Sequence, residues 1–249
     1  MGNFDTALVL ANQALALAEK TGYKNGQANS YNNIGSVYFN QANYPKTLDY
    51  YLKSLKVFEK IGGKNGIGAS YSNIGGVYFK QANYPKALDY YLKYLKISEV
   101  TGDKNGIGNS CVNIGSIYTD QSNCPKGLDY YLKGLKIYEE IGNKQYIALC
   151  YCNISRLYNG LAEYKKAIAY SDNALQLCKE VSDIETERYA YQILSDSYSK
   201  TNNYKAAYEA HVKFKALTDS IFNAENSKQL GDMKTKFEVE KKEAELKIK

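Results

Sequence analysis

NYPKALDYYLKYLKI, residues 83–97, has two near-copies in the same chain, NYPKTLDYYLKSLKV at 43–57 and NCPKGLDYYLKGLKI at 123–137. The step is forty residues each time, and it extends well beyond these stretches. Ile34, Ile74, Ile114, Ile154 and Leu194 share one register, and Tyr38, Tyr78, Tyr118, Tyr158 and Tyr198 share another. Two further registers hold mostly small residues: Gly35, Gly75, Gly115, Ser155 and Ser195, then Thr47, Ala87, Gly127, Ala167 and Ala207. A fixed period of this size marks a stack of supersecondary units, none of which can bury its apolar face alone.

Each unit carries two helical patterns. Tyr71, Ile74, Gly75, Tyr78 and Ala82 follow one apolar stripe, and Tyr84, Ala87, Leu88, Tyr91, Leu95 and Ser98 follow the next. Lys86, Asp89, Lys93 and Lys96 take the wet face of the second helix, with Asp89 and Lys93 spaced for an i, i+4 pair. Asn83 is placed to cap that helix and Pro85 falls in its first turn, where a missing N–H costs nothing. Gly102, Asn105 and Gly106 read as a helix stop and a new start. The small residues at 75 and 87 let the two helices approach closely. The expected unit is a helix–turn–helix hairpin.

Composition excludes several classes. No apolar run nears the roughly 20 residues of a membrane span, and the start does not resemble a signal peptide. Net charge is only +6 across 249 residues, with the basic residues dispersed. The five cysteines, at 111, 124, 150, 152 and 178, form no C-x-x-C pair. Cys111 and Cys124 replace Tyr in the repeat and are expected to be small packing residues. The 26 tyrosines suit half-buried helix faces, with the ring packed and the hydroxyl wet.

Convergent chemistry is not found. The one histidine, His211, lies beyond the apolar stripe, so neither a two-histidine metal site nor a Ser–His triad can be drawn. Gly63-Lys64-Asn65-Gly66-Ile67-Gly68 lacks the phosphate-loop spacing and is expected to be a linker. Asn153-Ile154-Ser155 matches a glycosylation sequon but falls mid-helix. Lysines 86, 93 and 96 and their copies face outward, without the stacking platform that nucleic acid requires. No catalytic residue, metal or cofactor is assigned, and no nucleic-acid or membrane contact is expected.

Tyr71-x-x-Ile74-Gly75-x-x-Tyr78, followed by Ala87, Tyr91 and Tyr94, resembles the tetratricopeptide repeat, W-x₂-L-G-x₂-Y with a small residue and an aromatic after it. Tyr or Cys stands for the Trp, and the forty-residue unit is similar to the extended variety found in kinesin light chains and some bacterial signalling proteins. The resemblance implies an all-α solenoid of stacked hairpins in a right-handed superhelix, with repeats at 26–65, 66–105, 106–145, 146–185 and 186–224. Residues 3–25 align as the second helix of a further repeat, and more repeats are expected upstream.

After Tyr204 the helical pattern runs on, and 225–249 is expected to be a long C-terminal helix or connector. Leu230, Phe237 and Ala244, with Met233, form a weak heptad seam, so a homodimer through this segment and a solvated single helix both remain open. Lys228-Gln229-Leu230, Met233, Thr235-Lys236-Phe237-Glu238 and Glu240-Lys241-Lys242-Glu243 resemble the connector of bacterial sensor histidine kinases. That implies a downstream output domain, and a cytoplasmic location or, for a membrane sensor, a periplasmic one.

Opposite the core stripe of each first helix lie Ala69, Asn73, Gly76 and Lys80 and their copies, which in the family line a concave groove. Asn33, Asn73, Asn113 and Asn153 occupy one position in four successive repeats. An amide that both donates and accepts can hold a peptide backbone. It can equally bond a neighbouring helix and only set the superhelix. Phe39, Phe79, Lys80, Val112 and Arg156 are the variable lining expected beside the row. The function expected is a non-catalytic module binding a protein or extended peptide, within a larger bacterial signalling protein. The alternative is a scaffold that dimerises through its C-terminal helix.

Overall fold

A left-handed turn residue recurs in each hairpin of the computed structural model, which describes the backbone of residues 2–247 and the side chains of 4–224, 226, 227 and 231. The elements in order are α1 (Gly2–Thr21), α2 (Lys24–Asn40), α3 (Tyr44–Ile61), α4 (Lys64–Lys80), α5 (Tyr84–Thr101), α6 (Lys104–Asp120), α7 (Cys124–Ile141), α8 (Lys144–Gly160), α9 (Tyr164–Val181), α10 (Ile184–Lys200) and α11 (Tyr204–Lys247). Asn43, Asn83 and Asn123 each accept from the backbone N–H three residues on, at 3.3–3.4 Å, with a proline in the first turn of the helix they open. Such caps contribute about 1 kcal/mol each.

The two kinds of turn differ. Hairpins are joined to one another through Gly22, Gly62, Gly102 and Gly142, all at φ +70°, with Ser182 taking the fifth place at φ +55°. Within hairpins the left-handed residue is Ala42, Ala82, Ser122, Ala162 or Asn202. Ala82 therefore belongs to the turn rather than to the apolar stripe of the preceding helix. A second correction concerns residues 63–68. The first helices begin at Lys24, Lys64 and Lys104, two residues before the expected boundaries, so most of 63–68 is helix rather than linker. Its glycines are there for packing: a Cβ on Gly66 would collide with the Phe58 ring, and one on Gly68 would press on Tyr94 and Ile97.

Each first helix packs on its own second helix and on the second helix before it. The core lies in these seams, with Ile34, Ile74, Ile114 and Ile154 all fully buried. Burying each such side chain contributes roughly 1.5–3 kcal/mol. Tyr51, Tyr91 and Tyr131 fill the space left by Gly35, Gly75 and Gly115, where any Cβ would strike the ring. On the outer edge Tyr38/Tyr50, Tyr78/Tyr90, Tyr118/Tyr130 and Tyr158/Tyr170 stack at 5.6–5.7 Å. Lys86 and Lys93 lie over Tyr78 and Tyr90, and the same pairing recurs in neighbouring repeats. These lysines pack their charge on rings as well as meeting water.

Curvature follows from which helices touch. Beyond the hairpin seams, α4 meets α6, α6 meets α8 and α8 meets α10, whereas among the described residues neighbouring second helices make no comparable contact. The first helices therefore line the inner side. At the C-terminal end His211 and Lys215 replace the Tyr and Leu that earlier second helices turn toward a following hairpin, and both are exposed. α11 continues as one helix and meets α1. The side chains of Leu230, Met233, Phe237 and Ala244, on which a dimer seam would depend, lie outside the described residues. Among the helices described, none is long and apolar enough to cross a membrane.

Candidate binding groove

The inner face is built from the residues of α2, α4, α6, α8 and α10 left over once the apolar stripe is committed to the seams. Four equivalent asparagines lie on it and their burial changes along the array. Asn33 is exposed, Asn73 and Asn113 are half-buried, and Asn153 is buried at 9%. Among the described residues none of the four side-chain amides has a hydrogen-bond partner. Asn32, beside the row, has its side-chain Oδ1 sealed from water with no donor.

A second set of groups reaches the same face from behind. The Tyr51 hydroxyl lies 3.2 Å from Ser36 Oγ, and the Tyr131 hydroxyl donates to Ser116 Oγ at 3.1 Å. Both tyrosines are core residues of second helices whose polar ends come through to the groove floor. Sequence periodicity marks them as core and gives no hint of the hydroxyl's exit. The signal available was the alternation at 36, 76 and 116, where Ser, Gly and Ser stand opposite Tyr51, Tyr91 and Tyr131.

The C-terminal half of the face is cross-linked. Arg156 approaches Asp120 at 3.6 Å and its guanidinium faces the Tyr131 hydroxyl, linking α8 to α6, although its Nε is sealed without a partner. Asn159 donates to Asp196 at 2.6 Å and accepts from the buried Ser197 at 3.2 Å, joining α8 to α10. Burial pushes the Tyr189 hydroxyl up to about 12. Contact between first helices is closest here, at α8 and α10.

The other lining residues divide. Lys80 is exposed. Val112 is core, 8% exposed and packed with Tyr131, Leu135 and Tyr138. Phe39 and Phe79 are half-buried and lean on Tyr44 and Tyr84 at 6.1 and 6.0 Å, so their rings serve the hairpin turn. Shallow hollows occur elsewhere, along the edge where hairpins join, beside Phe58, Gly62 and Val100 and beside Ile141, Gly142 and Val181.

Reactive groups are shielded. Cys111, Cys150, Cys152 and Cys178 are buried free thiols, and Cys124 is half-buried. Desolvation pushes Cys111 up to about 11 and Cys150 and Cys178 up to about 12, and it raises Cys152 as well. A protonated, enclosed thiol is a poor nucleophile. In the sequon, Ser155 is fully buried and donates to the Ala167 carbonyl at 2.6 Å. Among the described residues no group of three or more His, Cys, Asp or Glu is arranged to hold a metal ion.

The tetratricopeptide repeat family pattern matches residues 26–99 and 108–180, together more than half of the chain. No curated protein sequence matches. Among solved structures, the chain is similar to BtubC (BKLC) from P. vanneervenii, with a TM-score of 0.75 at 15% identity over 88% of this chain and 92% of that one. A Rap protein complexed with competence and sporulation factor gives a TM-score of 0.67 at 13% identity, covering 89% of this chain and 72% of that one. A STAND signal-transduction ATPase with a tetratricopeptide repeat sensor, from Pyrococcus horikoshii, gives 0.64 at 22% identity, covering 78% of this chain and 33% of that one.

Proposed function

The chain belongs to the tetratricopeptide repeat family, and from that premise we propose that it is a protein-interaction module whose concave face holds an extended polypeptide segment of a partner, chiefly on α2, α4 and α6. The observation that carries this is the set of unpartnered amides at Asn33, Asn73 and Asn113. A polar group that the fold leaves unpaired keeps its donor and acceptor for something else. Adjacent helices pack about 8–10 Å apart, and an extended chain advances roughly 3.3 Å per residue, so one amide would meet every third residue of a ligand. A Rap protein was solved with competence and sporulation factor and the STAND protein carries its repeats as a sensor, and likeness of fold to both supports a sensory role in a larger signalling protein. Arg156 and Asn153, engaged or buried in the C-terminal half, are assigned to the end wall of the groove.

The probe is a phage-displayed library of linear peptides of about ten residues, roughly 33 Å when extended. Enriched sequences should bind the wild-type chain, and the double variant Asn73→Ala/Asn113→Ala should weaken them by about tenfold, equivalent to 1.4 kcal/mol. Equal affinity for both proteins would sink the groove assignment. Light scattering with and without residues 225–249 tests the scaffold alternative, which requires a dimer that truncation abolishes.

A further inference from the structure

One position on the groove floor is unfinished. Ser36, Gly76 and Ser116 are equivalent residues of α2, α4 and α6, and behind each stands a tyrosine from the second helix of the same hairpin. At the outer two the tyrosine hydroxyl pairs with the serine hydroxyl, at 3.2 Å for Tyr51 and 3.1 Å for Tyr131. At the middle one there is no side chain to pair with. Tyr91 is 5% exposed, and among the described residues its hydroxyl has no hydrogen-bond partner. Nor is it one of the unpartnered atoms sealed from water.

The geometry leaves a notch. A Cβ built on Gly76 would meet only one atom within 4 Å, the Tyr91 hydroxyl at 3.6 Å, in ordinary contact. Gly76 differs in this from Gly75, where the Tyr91 ring itself blocks a Cβ. Nothing in the packing therefore requires glycine at 76. What Gly76 lacks, relative to Ser36 and Ser116, is one hydroxymethyl group, and beneath that place is a hydroxyl that can donate and accept. It lies on the same strip of α4 as Asn73 and Lys80, three residues after one and four before the other.

We propose that the Gly76 notch is a side-chain subsite of the groove, taking a serine or threonine of an extended peptide, whose hydroxyl completes the Tyr91 pair as Ser36 and Ser116 complete theirs. The subsite rests on the groove reading above and adds selectivity to it: Asn33, Asn73 and Asn113 hold backbone, and the notch reads one side chain. Alanine is accepted by volume but leaves a buried hydroxyl without a partner, and a site built to bond a hydroxyl rejects the analogue that lacks it. Burial holds the Tyr91 phenol protonated, raising it to about 12, so this subsite stays uncharged through the neutral range.

The test uses the whole chain and the same library of linear peptides of about ten residues. Peptides enriched on the wild type should carry Ser or Thr at one recurrent place. As synthetic peptides titrated by fluorescence anisotropy, they should lose about tenfold in affinity when that residue becomes Ala, a change equivalent to 1.4 kcal/mol. Gly76→Ser supplies the missing hydroxyl from the protein itself, so it should keep or raise the melting temperature while weakening those peptides to the same degree. Tyr91→Phe keeps the ring and should abolish the preference for Ser over Ala. Enriched peptides with no recurrent hydroxyl residue, or an unchanged affinity in Gly76→Ser, would overturn the notch and leave the groove standing. Failure of any peptide to distinguish the wild type from Asn73→Ala/Asn113→Ala would overturn both.

Discussion

The hairpins from α2 to α7 and those from α8 to α11 share one period but treat the inner face in opposite ways. In the first three, Asn33, Asn73 and Asn113 have no hydrogen-bond partner among the described residues, and across helices Ser36 and Ser116 meet only the tyrosine of their own hairpin. In the last two, Asn159 bonds Asp196 from helix to helix and Arg156 reaches back to Asp120. The outer seams hardly differ, since Ile74 and Ile154 are equally buried. A solenoid thus separates two tasks: its seams set stability, and its inner face is free to be either a wall or a tie.

The largest expected effect lies where the two regions meet. Tyr138 is fully buried, stacks on Tyr146 at 4.8 Å and donates to Asn109 at 2.7 Å. Tyr138→Ala should cost about 3–5 kcal/mol, as truncation of a large buried aromatic does. Because repeat stability is a sum of unit and interface energies, chemical denaturation should then split into two steps. A single step at lower denaturant would show that the halves remain coupled through other contacts.

Alkaline pH acts on both halves. Burial raises Cys111 to about 11 and Tyr91, Cys150 and Cys178 to about 12. Below the ordinary values of 9.0 for a thiol and 10.0 for a phenol, these groups are protonated in folded and unfolded chains alike, and their contribution is intact. Above them the unfolded chain ionises first, so stability falls as pH rises from about 9 towards 12. Melting temperatures between pH 8 and 11 should decline throughout that window. A flat profile would mean that the thiols and phenols reach water.

Asn159→Ala comes next. It removes the bond to Asp196 and leaves the fully buried Ser197 hydroxyl unpaired, at a cost of about 1–3 kcal/mol. Ser182→Gly is smaller and opposite in sign. Ser182 holds φ +55° where the other inter-hairpin turns have glycine, and relief of that strain should stabilise the chain by roughly 1 kcal/mol. Both changes lie in the C-terminal half, and thermal melts of each read them directly.

Much of this was legible beforehand. The period, the asparagine caps, the glycine stops and the Asp89–Lys93 pair, found at 2.7 Å, depend on near neighbours in sequence. Register alone revealed them. What escaped depends on the next helix over. Asn33, Asn73, Asn113 and Asn153 read identically, yet they pass from exposed to buried because the helix beyond carries larger residues toward the C-terminus. The position of Ala69 becomes Leu149 and then Tyr189. Val112 was lost to the core because Cys150, Ile154 and Leu157 of α8 join it in one cluster. The exit of the Tyr91 hydroxyl depends on a missing side chain in another helix, which no stripe of one helix reports.

The smallest effect is the most discriminating. Asn73→Ala/Asn113→Ala changes two half-buried residues with no hydrogen-bond partner among those described. Truncating side chains that neither bond nor fill the core should shift stability by no more than about 0.5 kcal/mol. Compare Asn159, the same residue type on the same face one hairpin later, whose loss should be several times larger. If the double variant instead lost about 2 kcal/mol, its amides would be ties like Asn159, and the contrast between an open and a cross-linked half would fail. A near-zero shift beside a clear loss at Asn159 would establish that identical asparagines in one solenoid are retained for different reasons, one to hold helices and the other to meet a guest.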